Sequence, residues 1–236
     1  MSIKHFPAIA ALAACAAIAA PAAAAPHSWL EQKETERVDR TVPFHAGGLV
    51  RLKTFSGKVT ITGTDGSDVV VHAVRRASRD RLDHIKLDVT TSGSDVVIDA
   101  NKRDNEWEDR NNNVVETDFD IQVPRGAELD LRGFSSDIQV TGVTGRQKLY
   151  AFSGNLRVDG TRGPLEAETF SGNIEVKLDG GAGGDVDFNS FSGRLDTDVP
   201  MTLTTGGRRH VRGQVGSADR SNQFRFKTFS GDVRVR

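Results

Sequence analysis

Six serines recur in near-identical settings, at Ser56, Ser135, Ser153, Ser171, Ser192 and Ser230, each directly after a phenylalanine. Such an array of hydroxyls could supply nucleophiles, but activation needs a base and a third group that orients it. No histidine recurs with the serines. They read instead as turn residues whose hydroxyls bond corner backbone. A Gly-x-Ser-x-Gly elbow, a phosphate-binding glycine loop and a His-Glu-x-x-His motif are absent from the sequence. His27, His45, His72, His84 and His210 are scattered without ligand spacing, so no metal site is expected. Gly180 to Phe188 (GGAGGDVDF) partly imitates a calcium-binding nonapeptide, yet Asp187 stands where that unit needs an apolar residue, and the unit occurs once.

Two other groups could do chemistry. Glu166 with Glu168, and Asp185 with Asp187, are spaced by two, which places each pair on one face of a strand, as acid and base partners in polysaccharide cleavage would require. The simpler reading is a solvated sheet face. Trp107 lies in the most polar stretch, Asn101 to Asn113 (NKRDNEWEDRNNN). With Glu106 and Asp109 it forms the ligand-binding candidate, an indole able to stack on a sugar ring or peptide beside hydrogen-bonding groups. The alternative is that Trp107 folds back to cover a side or end of the fold.

The elements that position these residues come from an internal repeat. Phe-Ser-Gly occurs at Phe55, Phe152, Phe170, Phe191 and Phe229, and Phe-Ser-Ser at Phe134. From Phe134 onward the intervals are 18, 18, 21 and 38 residues, the last close to two units. Apolar residues stand three before each Phe (Leu52, Leu131, Leu149, Ala167, Phe188, Phe226) and four after it (Val59, Ile138, Leu156, Ile174, Leu195, Val233). Most copies add one five before, Gln147 being the exception, and one six after. Spacing by two means strands with one buried face. The step of three to Phe reverses that parity, so a corner is placed at the Phe-Ser-Gly unit, and a second at Gly63–Gly66, Gly142–Gly145 and Gly160–Gly163.

A unit of strand, corner, strand, corner cannot bury its apolar face alone, so consecutive units must stack. The expected fold is all-β, a single right-handed β-solenoid with rungs of about 18–21 residues; the alternative is an antiparallel meander or sandwich. In the stacked reading Phe55, Phe134, Phe152, Phe170, Phe191 and Phe229 form a structural ladder that is internal and dry. Outward columns such as Asp130, Lys148, Glu166, Asp187 would bring opposite charges together. The last residues, Val233 to Arg236, finish inside a strand pattern, leaving an edge through which the chain could self-associate, opposed by Arg234 and Arg236.

The 236 residues are 37% hydrophobic and 27% charged, which excludes disorder, and 31 Lys plus Arg against 32 Asp plus Glu leave no surplus for nucleic acid. A single cysteine, Cys15, excludes a disulfide framework. Residues 1–25 read as an export signal, with Lys4 before an apolar stretch and small residues at the cleavage site, preferably after Ala24. Leu12-Ala-Ala-Cys15 also has the form of a lipoprotein processing site, which would acylate Cys15. The apolar stretch is broken by Pro7 and Pro21, so no transmembrane span is expected. Residues 26–37 then form a linker and 38–236 the repeat domain, irregular over 45–123 and regular over 124–236.

The Phe-Ser-Gly ladder behind an export signal resembles the bacterial DUF4097 and DUF2807 families of adhesin-like, head GIN domain proteins. The resemblance rests on Leu52–Gly63 (LKTFSGKVTITG), Ile121–Val140 with its Val-Pro break, and Phe226–Val235 (FKTFSGDVRV). It implies a β-solenoid of the cell envelope, periplasmic or at the cell surface. It brings no catalytic residues and no cofactor. The expected function is that of a non-enzymatic scaffold binding an envelope glycan, peptide or protein. A carbohydrate-active β-helix enzyme and an envelope-stress component acting through a protein partner are the rivals.

Overall fold

The computed structural model of the chain describes residues 33–105, 107, 113–207, 209–216 and 222–236. These residues form strands β1 (Glu34–Pro43), β2 (Leu49–Thr64) and β3 (Asp68–Ala77), a short helix α1 (Arg79–His84), then β4 (Ile85–Ser92), β5 (Asp95–Arg103) and β6 (Glu116–Pro124). The ladder follows as β7 (Glu128–Thr141), β8 (Gln147–Ser153), β9 (Leu156–Thr161), β10 (Leu165–Ser171), β11 (Ile174–Leu178), β12 (Gly184–Ser192) and β13 (Leu195–Thr197). Last come β14 (Met201–Gly206), β15 (His210–Val215), β16 (Gln223–Ser230) and β17 (Val233–Val235). The fold is all-β and β-solenoid-like.

Each Phe-Ser unit sits between two arms of one rung. In β2 and β7 the strand bends through the unit unbroken, whereas β8/β9, β10/β11, β12/β13 and β16/β17 are the two arms of the other rungs. All six rungs pair in parallel, with Ser56 beside Ser135, Ser135 beside Ser153, Ser153 beside Ser171, Ser171 beside Ser230 and Ser230 beside Ser192. The meander alternative therefore does not describe the rungs. Antiparallel pairs flank them instead: β4 on β5, β1 and β6 on β3, and β15 on both β12 and β14.

Spatial order departs from chain order twice: β2 lies between β5/β6 and β7, and a second insertion falls near the C-terminus. The C-terminal rung β16/β17 lies between β10/β11 and β12/β13, bonded to both. The unpaired terminal edge expected at Val233–Arg236 does not exist, because Val233 is matched to Ile174 on one side and Leu195 on the other. Self-association through that edge is overturned. The physical reason is electrostatic as well as geometric. Chain order would have set Glu166 against Asp187 and Glu175 against Asp196; the inserted rung places Arg225 and Arg234 between them.

Inside the coil the columns follow the period of two. Leu52, Leu131, Leu149, Ala167, Phe226 and Phe188 are buried, as are Val59, Ile138, Leu156, Ile174 and Val233. Burying one such side chain contributes about 1.5–3 kcal/mol by area transfer. Gln147, the exception in its column, is fully buried and its amide nitrogen donates to the Val143 carbonyl at 2.9 Å and the Thr161 hydroxyl at 3.2 Å. At the corner the glycines are required by close approach: a Cβ on Gly231 would come within 1.8 Å of the Gly172 carbonyl oxygen. The Phe134 rung, with Ser136 in place of the glycine, runs unbroken as β7. Ser136 is buried beside Gly133, where a second Cβ would lie 2.8 Å from that of Ser136, so the two residues have exchanged the roles of filler and gap.

The six repeat phenylalanines are not internal. They are 36–55% exposed, and the dry spine expected of them is overturned. Alternation along an unbroken strand explains it: with Leu149 and Ala151 inward in β8, Phe152 must point outward, because the corner comes after the phenylalanine, at Ser-Gly. At the other end of the chain, β1 begins at Glu34, inside the stretch read as linker, where Glu34, Glu36 and Val38 are half-buried on one face and the backbone pairs with β3. Residues 26–32 and the proposed signal lie outside the described range.

The two kinds of phenylalanine should behave differently. Phe226→Ala, which empties an internal position, is expected to lower unfolding free energy by about 3–5 kcal/mol, and Phe229→Ala by about 1–2 kcal/mol. Urea unfolding of both variants checks this; equal losses would contradict the assignment of inside and outside.

Candidate functional site

The outward phenylalanines make one continuous feature. In spatial order the rings of Phe55, Phe134, Phe152, Phe170, Phe229 and Phe191 lie at centroid steps of 4.7, 4.8, 4.9, 4.6 and 4.7 Å. Interplanar angles are 3–7° along the last five rings and 22° between Phe55 and Phe134. The spacing is that of hydrogen-bonded strands, so in-register pairing alone brings the rings into stacking contact. Each internal ring has its faces covered by neighbours and its edge turned to solvent. The guanidinium of Arg209 lies 4.8 Å from the centroid of Phe191 and closes that end of the stack.

Polar columns run along both sides. Four residues before Phe, the order in space is Arg51, Asp130, Lys148, Glu166, Arg225, Asp187, alternating in sign throughout, and Arg212 of the antiparallel β15 continues the alternation beside Asp187. Two before, Lys227 donates to Glu168 at 2.7 Å, and this hydrogen bond with the attraction of the carboxylate raises the ammonium above the usual lysine range. Three after Phe an Asx ladder serves the corner backbone. The Asn155 N–H donates to Asp137 Oδ1 at 2.7 Å, Asn173 to Asn155 Oδ1 at 3.0 Å, Asp232 to Asn173 Oδ1 at 3.0 Å, and Arg194 to Asp232 Oδ1 at 2.9 Å.

That ladder takes the part expected of the serine hydroxyls. Ser135, Ser153, Ser171, Ser192 and Ser230 face solvent, since the outward turn at the corner points them away from the backbone they follow. The carboxylate pairs line open grooves, Glu166 with Glu168 one of about 590 Å³ and Asp185 with Asp187 one of about 310 Å³. Glu166 stands between Lys148 and Arg225, Glu168 holds Lys227, and Asp187 pairs with Arg212 at 3.1 Å, all on an open sheet face. His72 lies 2.6 Å from Asp39, His84 2.7 Å from Asp104 and His210 2.5 Å from Asn189, and no cluster of three metal-ligating side chains occurs among the described residues.

Trp107 is corrected as an open binding residue. It is only 5% exposed and packs with Ala77, Leu82, Ile85 and Val115 under α1, its indole stacked on His84 at 5.4 Å. The apolar indole gains more by covering that satellite core than by facing water. Glu106, Asp109 and Cys15 lie outside the described residues. What the sequence reading missed is the face beside the ladder. A groove of about 570 Å³ runs along the edges of Phe152, Phe170, Phe229 and Phe191, bounded by Tyr150 and Arg209. The signal was present in the reversed parity at Phe.

Residues 49–236 match the family model described as Toastrack DUF4097. Among solved structures the chain is similar to a candidate cell adhesion protein from Clostridium sporogenes, at 12% identity and a TM-score of 0.59, covering 86% of this chain and 99% of that one. At this identity the likeness shows the fold alone. Two candidate adhesins, from Bacteroides fragilis (11% identity, TM-score 0.29, 85% and 97% covered) and Parabacteroides distasonis (7%, 0.27, 84% and 97%), are too distant in shape to carry an argument. No match to a curated protein was found.

Charge alternation along the flank gives a test of its role. Arg225→Glu sets a third carboxylate between Glu166 and Asp187 and is expected to lower stability by about 1–2 kcal/mol at low salt. The deficit should narrow in 1 M salt, where the Debye length falls to about 3 Å. A variant as stable as the parent at low salt would remove the column from the account.

Proposed function

The chain belongs to the Toastrack DUF4097 family, and from that premise we propose that it is a non-enzymatic binding scaffold of the bacterial cell envelope. One observation carries the reading: six stacked aromatic rings present an uninterrupted exposed apolar edge across six consecutive rungs. Contiguous exposed apolar surface of this kind marks interaction sites. In the column four residues before Phe the charges alternate and neutralise one another, which disfavours a highly charged partner. Ring faces are occupied by neighbouring rings, so the flat stacking by which aromatic residues hold sugars is not on offer along the ladder, and apolar contact with ring edges is. Export by residues 1–25, with cleavage after Ala24 or acylation at Cys15, completes the proposal, and the coil is right-handed by the general preference of parallel crossovers.

The test places a photoreactive benzoylphenylalanine at Phe170, on the ladder, and separately at Arg157, on the outer face of the other arm, in cells producing the full chain. The expected result is an envelope component crosslinked from Phe170 and not from Arg157, on a protein whose N-terminus by mass spectrometry is Ala25 or a lipidated Cys15. Equal crosslinking from both positions, or an uncut cytoplasmic chain, would overturn the proposal.

A further inference from the structure

Building on that reading, we infer that the groove along the last four rings binds a single-chain anionic amphiphile, its alkyl chain on the ring edges and its head at Arg209. Three observations converge. The groove follows Phe152, Phe170, Phe229 and Phe191, three centroid steps of 4.6–4.9 Å, a run that an extended chain of about a dozen carbons covers at ordinary C–C bond lengths. Ring edges offer no orienting polar group, so they suit a flexible hydrocarbon better than a ligand that must be read by hydrogen bonds.

The charges at the groove decide the head group. Glu168 is neutralised by Lys227 at 2.7 Å, and His210 is engaged by Asn189 at 2.5 Å. Arg209 is the remaining cation at the groove, held over Phe191, and among the described residues no carboxylate is ion-paired with it. The apolar run therefore ends on a positive charge, a group able to form charge-assisted hydrogen bonds with a carboxylate head. The opposite end is marked by the Tyr150 phenol. Arg132, matched to Tyr150 in the next rung, is held by Asp130 at 3.1 Å, whereas among the described residues no carboxylate holds Arg209, and this sets the direction in which the ligand lies.

Isothermal titration of the full mature chain with dodecanoate, below its micelle concentration, tests the inference. One saturable site is expected, with octanoate binding at least about tenfold more weakly through loss of buried methylenes. Phe170→Ser should weaken dodecanoate about fivefold or more. Arg209→Gln, a surface change that leaves the apolar run intact, should weaken dodecanoate about fivefold but leave dodecyl maltoside within twofold. Circular dichroism establishes that both variants are folded. The inference is overturned by the absence of saturable dodecanoate binding, or by binding indifferent to both substitutions. It is equally overturned by co-sedimentation with phosphatidylglycerol vesicles without monomer binding, or by a dimer that Phe170→Ser dissociates without any dodecanoate heat. Those last two outcomes would leave crosslinking from Phe170 intact, so they would sink the ligand and spare the scaffold.

Discussion

Parallel, in-register pairing of rungs is the constraint on which the rest of the molecule depends. The backbone of each arm finds its donors and acceptors only in the rungs above and below, so a residue chosen once per rung becomes a column. A column of leucines is a core, a column of asparagines and aspartates is a backbone clamp, and a column of phenylalanines is a stack. Stacked aromatics and amide ladders reinforce other in-register assemblies for the same reason. Here the register is held by the apolar columns and tuned by alternating charge, which is why the position of the C-terminal rung matters so much.

That rung makes the fold cooperative in an unusual way. Without β16/β17, the arms β10/β11 and β12/β13 would each present an open edge, and the carboxylates of Glu166, Asp187, Glu175 and Asp196 would face one another across the gap. With it, every one of those edges is paired and every one of those carboxylates has a guanidinium in the adjacent rung. The aromatic stack is completed by the same move, since Phe229 bridges Phe170 and Phe191 at 4.6 and 4.7 Å. Fold closure and the continuity of the candidate binding face are thus one event.

Much of this was legible from residue types and spacing. The interval between Phe-Ser units, the buried columns three before and four after Phe, and the stacking of like positions all follow from a repeat too small to bury its own face. Two things were not. The outward direction of the phenylalanines was written in the parity of Leu149, Ala151 and Phe152, but hydrophobicity argues for burial, and a corner placed one residue too early reconciled the two falsely. The inserted rung depends on long-range pairing that no local pattern encodes; the clue was the run of like charge that chain order imposes at Glu166 and Asp187. Trp107 posed the same conflict in reverse, a polar setting around a side chain that packs inward under α1.

The most direct measurement is disulfide trapping among cysteines placed at Ser171, Ser192 and Ser230 in the mature chain, which has no native cysteine once residues 1–25 are removed. Adjacent in-register positions lie about 4.8 Å apart and next-nearest ones about twice that, beyond the reach of a disulfide. Stacking with the C-terminal rung inserted requires Ser230→Cys to couple efficiently with Ser171→Cys and with Ser192→Cys, while the Ser171→Cys and Ser192→Cys pair stays reduced. Coupling of that last pair, with Ser230→Cys joined to only one of them, would mean the rungs stack in chain order and would contradict the account.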